Sequence, residues 1–299
     1  MNHSDKLRVG VILNDLAVAT GREIGDAARF AEELGMEAVF MGDHLVPAVP
    51  YPDSVTVLAT AAAATERIRV GFGVMVLALR PVAWAAKQVA ALQQMSADRV
   101  VLGIGSSGEM HGRAAWDAVG VPFDERGRRT DESLALLPGL IAGKPTRVGG
   151  AEITIAPSAS VPPIWIGGNS TVAIRRAARH GDAWYPSMIT PEKVAASARR
   201  LAELAAEAGR PTPGVAVGGT VALGPDASSG VDELVRGLHE GYGLPLDEAR
   251  RVPITGSPQQ VADRLAEYAG AGVRHVVLGT AAGDWRRQWE LVAQARELL

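Results

Sequence analysis

The segment MGDHL sets a carboxylate, Asp43, beside an imidazole, His44, directly after the apolar run EAVFM. A histidine exchanges protons near neutral pH and can serve as acid or base to a reacting group. Adjacent side chains point in different directions, so the two do not make a dyad by themselves, and Asp43 can equally cap a helix or turn. A second candidate is GIGSSGEMHG at 103–112, a glycine- and serine-rich loop carrying Glu109 and His111. It resembles a dinucleotide fingerprint only superficially, because the acidic partner expected after the next strand is missing.

Two further stretches could hold a ligand rather than react with it. GFGVMVL at 71–77 mixes glycines with bulky residues, a pattern that permits a bulge, the close approach of a flat ligand, or core packing alone. In IGGNSTVAIRRAA at 166–178, paired glycines with Asn169, Ser170 and Thr171 open a helix whose free amides suit an anion. Capping alone accounts for Asn169 or Ser170 as well. ERGRR at 125–129, followed by TDE, reads as a solvated helix face as readily as a phosphate contact.

Other chemistry is excluded. The chain has no cysteine, which removes disulfides, thiolate metal sites and thiol nucleophiles. His180, His239 and His275 have no second ligand at helical spacing, so no metal site is expected. Lys6, Lys87, Lys144 and Lys193 fall on expected loops or helices, which argues against a Schiff-base lyase. The six tryptophans are scattered through separate units and read as core or pocket wall.

These residues must be positioned by a scaffold. Short β-branched runs at 8–13, 37–41, 68–76 and 99–105 alternate with helical stretches at 23–34, 54–65 and 82–96. A helix at about 125–142 is followed by a turn-rich excursion, 143–162, with one short strand, AEITIA. Alternation resumes with strands at 163–168, 182–186, 215–223 and 273–279, helices at 169–180 and 191–208, helices within 230–271 and a closing helix. About eight strand-helix units in 299 residues fit a (β/α)8 TIM barrel better than a doubly wound sheet. With no linker or composition break, one barrel domain over 1–299 with an insertion loop at 143–162 is expected. In such a barrel the chemistry sits where the strands end.

The net charge is −3, with 30 Lys plus Arg against 33 Asp plus Glu, far from the basic footprint of a nucleic-acid binder. No run reaches the ~20 apolar residues of a membrane span, and the N-terminal segment lacks a leader pattern. A soluble, cytoplasmic protein is expected.

Taken in order, MGDH at 41–44, IRVGFGVMVLALRP at 68–81, SADRVVLGIGSSG at 96–108, AVGVPFDERGRRTDE at 118–132, PPIWIGGNS at 162–170, HGDAWYP at 180–186 and GSPQQVADRLAEYAGAGV at 256–273 resemble the bacterial luciferase-like superfamily. The likeness is strongest to its deazaflavin, or coenzyme F420, branch and spans nearly the whole chain. The resemblance implies a flat ring lying across the C-terminal mouth, with a bulge and a non-prolyl cis peptide at Gly73–Val74 behind it. It puts Asp43, Gly73, Val74, Met75, Gly105 and Ser106 around the coenzyme and its phosphate at Gly167, Gly168, Asn169 and Ser170. His44 and Glu109 take the positions of proton-transfer groups. The loop after the fourth strand departs from many relatives in length and lacks their usual tryptophan, whose place Trp116 can fill.

The activity so implied is hydride transfer between coenzyme F420 and a small organic substrate, in a homodimer. The alternative is an FMN-dependent monooxygenase that uses O2 and reduced FMN supplied by a partner reductase. A third reading is a barrel that binds the coenzyme without turnover, or a cofactor-free lyase.

Overall fold

A computed structural model describes residues 6–13, 19–47, 50–108, 112–224, 228–281 and 283–299. The first half alternates as the sequence suggests: β1 (Arg8–Ile12), α1 (Gly21–Glu33), β2 (Ala38–Met41), α2 (Ser54–Ala64), β3 (Arg69–Val76), α3 (Val82–Met95) and β4 (Val100–Gly105). A short α4 (Ala114–Ala118) and a long α5 (Arg126–Ile141) follow, then β5 (Thr146–Val148) and β6 (Ala151–Ile153). The second half runs β7 (Ile164–Gly167), α6 (Thr171–His180), β8 (Ala183–Tyr185), α7 (Pro191–Glu207), β9 (Gly214–Leu223), α8 (Ser228–Glu240), α9 (Leu246–Ala249), β10 (Ile254–Gly256), α10 (Pro258–Gly270), β11 (His275–Thr280) and α11 (Trp285–Glu297).

β1, β2, β3, β4, β7, β8, β9 and β11 pair in parallel in that order around a ring, which β1–β11 and β8–β9 close, giving the expected TIM barrel. Three local expectations change. AEITIA is the second arm of an antiparallel β5–β6 hairpin rather than a lone strand. The stretch 230–271, read as helices, also holds β10, which pairs in parallel with the end of β9. A short helix, α4, lies in the loop after β4.

Local chemistry starts the helices where the chain needs them. Thr20 and Glu23 form a reciprocal capping box on α1, and Ser257 and Gln260 do so on α10, each satisfying otherwise orphaned amides. Asp53 caps α2, Ser170 caps α6 and Asp284 caps α11. All five caps lie at the C-terminal end of the barrel, where these helices begin.

Strand alternation divides the interior into two cores. One face of each strand packs outward against the helices, as Val70, Phe72, Leu102 and Ile166 do. The other fills the lumen with Ala38, Phe40, Val101, Trp165, Ala183, Tyr185, Ala216 and Val277. Three large rings fit there because glycines face them. A Cβ at Gly71 would overlap the Phe40 ring, so even alanine would overpack this layer. Phe40, Trp165 and Tyr185 lie 5.4 to 6.0 Å apart, centroid to centroid. The lumen is therefore a packed plug and not a channel.

At the lumen's N-terminal end His275 lies tilted against this plug, its ring centroid 5.1 Å from that of Trp165, beside a water-sized cavity also lined by Arg8, Glu37 and Arg69. Burial, reinforced by the charges of Arg8 and Arg69, lowers the His275 pKa to about 4. The folded protein thus holds His275 neutral where the unfolded chain protonates it near 6.5. This contribution to stability is complete above that value and is lost as pH falls from 6.5 toward 4, by an amount on the order of 3 kcal/mol. Thermal melts from pH 7 to 4.5 are expected to show a falling Tm whose slope is reduced in His275→Gln.

Candidate active site

The site is built from the C-terminal strand ends, and its floor is set by an extra residue in β3. Phe72 pairs with Leu102 and Met75 with Ile104, so three steps on β3 oppose two on β4. The insertion is a bulge, and it turns Val74 into the lumen immediately after the lumen-facing Gly73. The Gly73–Val74 peptide is cis, at the bond the resemblance named. A Cβ at Gly105 would come 2.5 Å from Val74 and one at Gly167 2.9 Å, whereas one at Gly103 would meet the Phe72 carbonyl oxygen at 2.0 Å. Glycines on β4 and β7 therefore vacate the space that Val74 fills. Ile12 and Val74, both half-buried, pack on the lumen aromatics and form the apolar floor of the mouth.

Asp43 is buried at the end of β2, and its partners are all groups of the protein. It accepts from Ser54 Oγ at 3.0 Å, the Val76 amide at 2.9 Å and Arg80 Nη2 at 2.8 Å to each oxygen. One carboxylate so ties the start of α2, the strand end beyond the bulge and the turn before α3. Through these partners Asp43 positions the wall of the mouth. The bulge turns the fully buried Met75 side chain outward into the helix-facing core. Only its backbone borders the mouth.

His44, next in sequence, is exposed. Its ring folds back over Gly42, where a Cβ would lie 3.3 Å from Nε2, and meets Tyr51 edge-on at a 4.9 Å centroid distance. Gly42 thus permits an orientation over the strand end that a side chain would obstruct. Glu109 and His111 lie outside the described residues. Trp116 is fully buried against Phe123, with Val76 and Ala78 in the same cluster, and therefore braces the strand end behind the mouth.

Across the mouth, Gly167–Ser170 leads into α6. Gly168 has φ 114°, a left-handed conformation suited to glycine, and its carbonyl accepts from Trp184 Nε1 at 2.8 Å. The Asn169 side chain is spent on Ser187, donating to its carbonyl at 2.8 Å and accepting from its amide at 3.2 Å. Ser170 Oγ accepts from the Ala173 amide. The side chains thus fix the turn, while the amides at the start of α6 are left without helical acceptors. Arg176 anchors the helix: buried, it donates to both Asp131 oxygens, at 2.6 and 3.3 Å, and to the Gly127 carbonyl.

That contact gives RRTDE at 128–132 a structural role, since Asp131 docks α6. Arg128 pairs with Glu125 and Glu132, and Arg129 with Glu125, as a solvated face would. Among the described residues no cluster of His, Asp and Glu could hold a metal, and no helix is long and apolar enough to cross a membrane. Trp84 departs from its expected place in core or pocket wall and is 65% exposed on α3.

A family model described as luciferase-like monooxygenase matches residues 7–275, and the chain belongs to this family of (β/α)8 proteins. It is 33% identical over 171 residues to an uncharacterized protein of Mycobacterium tuberculosis, an alignment covering 55% of this chain and 58% of that relative. The match thus spans little more than half of that relative's length. An F420-dependent glucose-6-phosphate dehydrogenase of Beutenbergia cavernae is 28% identical over 292 residues, covering 85% of this chain and 86% of the other. Among solved structures, an F420-dependent secondary alcohol dehydrogenase in complex with an F420-acetone adduct superposes with TM-score 0.82 at 17% identity, covering 97% and 98%. The monooxygenase RslO1 from Streptomyces bottropensis does so with TM-score 0.80 at 21% identity, covering 97% and 98%. These two likenesses concern the fold.

The Asp43 network is open to a direct stability test. Asp43→Ala leaves the half-buried Arg80 guanidinium and the Val76 amide unpaired, and is expected to cost about 3 kcal/mol in chemical denaturation. Replacing Arg80 as well, in Asp43→Ala/Arg80→Met, is expected to recover part of that loss because the orphaned charge is gone.

Proposed function

We propose that the protein is an oxidoreductase that passes a hydride between coenzyme F420 and a small organic substrate at the C-terminal mouth. The observation that carries the reading is the β3 bulge with Gly105 and Gly167 facing Val74, which makes an apolar floor suited to the back of a flat ring. The similarity over 85% of the chain to an F420-dependent dehydrogenase favours the deazaflavin over FMN.

The residues fit such a group. Ile12 and Val74, with the backbone of Gly73, Met75, Gly105 and Ser106, would carry the ring, and the amides from Asn169 to Val172 would hold its phosphate. A helix N-terminus stabilises an anion through unsatisfied N–H donors and the aligned peptide dipoles. When bound, the coenzyme supplies the hydride chemistry. His44 moves the accompanying proton at an imidazole nitrogen, because it folds over the strand end and an imidazole is a side chain that serves as both acid and base. Asp43 keeps the strand ends fixed, and Glu109 is assigned the second proton-transfer position on family resemblance.

Titration of the purified protein with F420 and FMN under matched conditions is expected to give the tighter Kd with F420. FMN binding without F420 binding would instead support the reductase-coupled monooxygenase. Thr171→Glu should weaken coenzyme binding at least several-fold while preserving or raising Tm, since a carboxylate repels phosphate yet suits a helix N-terminus.

His44→Ala is expected to lower kcat by roughly 100-fold while changing coenzyme Kd only a few-fold. Near-normal turnover at saturating substrate would remove His44 from proton transfer.

A further inference from the structure

The end of the barrel opposite the mouth carries charged groups that the chemistry proposed above does not use. Strand alternation puts Arg8, Arg69 and His275 on the lumen side, each two residues before Gly10, Gly71 or Val277. All three line the water-sized cavity beneath the aromatic plug, together with Glu37, the residue before β2. Among the described residues no other titratable group lines it. The next charges on adjoining strand ends are engaged elsewhere: Arg99 donates to the Ala62, Thr65 and Ile68 carbonyls, Arg274 to those of Ala269 and Val273, and Asp182 accepts from the Ile164 amide.

The four groups at the cavity do not balance. Arg8 pairs with Glu37 at 3.4 Å. Arg69 is half-buried, yet among the described residues it makes no hydrogen bond and no ion pair. Burial lowers its pKa, with Glu37 opposing that shift and Arg8 adding to it. Burial and the two arginines also hold His275 neutral. Two guanidinium groups therefore face one carboxylate and an uncharged imidazole, an excess of one positive charge around a space the size of a water molecule.

We propose that this cavity is a binding site for a monatomic anion of about the size of chloride, held by Arg69 with Arg8 and a ring N–H of His275 as further donors. A guanidinium partly removed from water and lacking an acceptor loses hydration that such an ion restores. The surplus charge adds a Coulomb attraction that partial burial screens less than open solvent would. Size argues for a single atom, since a phosphate or carboxylate could insert only one oxygen. The bound ion would tie together the starts of β1, β3 and β11, two of which close the barrel against each other. A neutral imidazole offers one N–H and a protonated one offers two, so anion and proton reinforce each other's binding.

The test uses the full chain, with chloride as the probe and gluconate to hold ionic strength constant. Replacing gluconate by chloride up to about 200 mM is expected to raise Tm by roughly 2 °C or more along a saturating curve, with a larger rise at pH 5 than at pH 8. Arg69→Met is expected to abolish the chloride response. Because that change also relieves repulsion with Arg8, the variant should melt no lower than the parent in gluconate, which shows that it folds. Two readouts on the parent protein are independent of the variant: chloride-35 NMR lines broaden with added protein, and the His275 ring titration moves upward from about 4. Identical melts in chloride and gluconate, a chloride response retained in Arg69→Met, or a response to phosphate without one to chloride each overturns the proposal. None of these outcomes touches the coenzyme reading, because the two sites lie at opposite ends of the barrel.

Discussion

Val74 and two glycines cannot be varied independently. The β3 bulge turns the Val74 side chain into the lumen, and that volume exists only because Gly105 and Gly167 leave it empty. The constraint spreads outward. Below the bulge, Gly71 yields to Phe40, which packs with Trp165 and Tyr185 into a rigid plug. Above it, the same residues present a flat surface at the mouth. Interiors packed to crystal-like density transmit such steric requirements with little slack, so a side chain added at these glycines would move the floor of the site.

A second constraint is electrostatic and acts at the rim. Asp43 gathers a hydroxyl, an amide and a guanidinium from three segments that are distant in sequence. A buried carboxylate so fully occupied is valuable for the geometry it imposes, because removing either side strands a charge or a donor. The adjacent His44 is consequently presented from a fixed strand end. Two neighbouring residues divide the work: Asp43 is turned into the protein and His44 stands over the strand end. The opposite rim follows the same logic, with Asn169, Ser170 and Trp184 immobilising the turn and leaving its amides available.

Much of this was legible in the residues. Alternation of β-branched runs with helical stretches gave the barrel, because parallel strands buried on both faces read as continuous apolar runs. The Gly73–Val74 bond and the turn before α6 were identified through family resemblance. The sequence also showed that glycines cluster near strand ends. It did not show what fills the room they leave: Gly71 serves Phe40, and Gly105 and Gly167 serve Val74. The strand β5, which pairs with AEITIA, and the strand β10 are not legible because segments of three residues carry too little periodicity to register.

The sequence by itself determined the class of fold and the strand ends that carry polar groups. Those features depend on residue type and local order, which a chain displays directly. Only the tertiary structure decided that Asp43 pairs with Arg80, that the Met75 side chain lies in the helix-facing core, and that Asp131 docks α6 through Arg176. Each of these turns on which side of a strand or helix a residue occupies, and the two ion pairs also depend on a partner 37 or 45 positions away. One extra residue in β3 reverses that choice for everything after it, and its presence is fixed by packing against β4 and β7 rather than by any property of β3 alone.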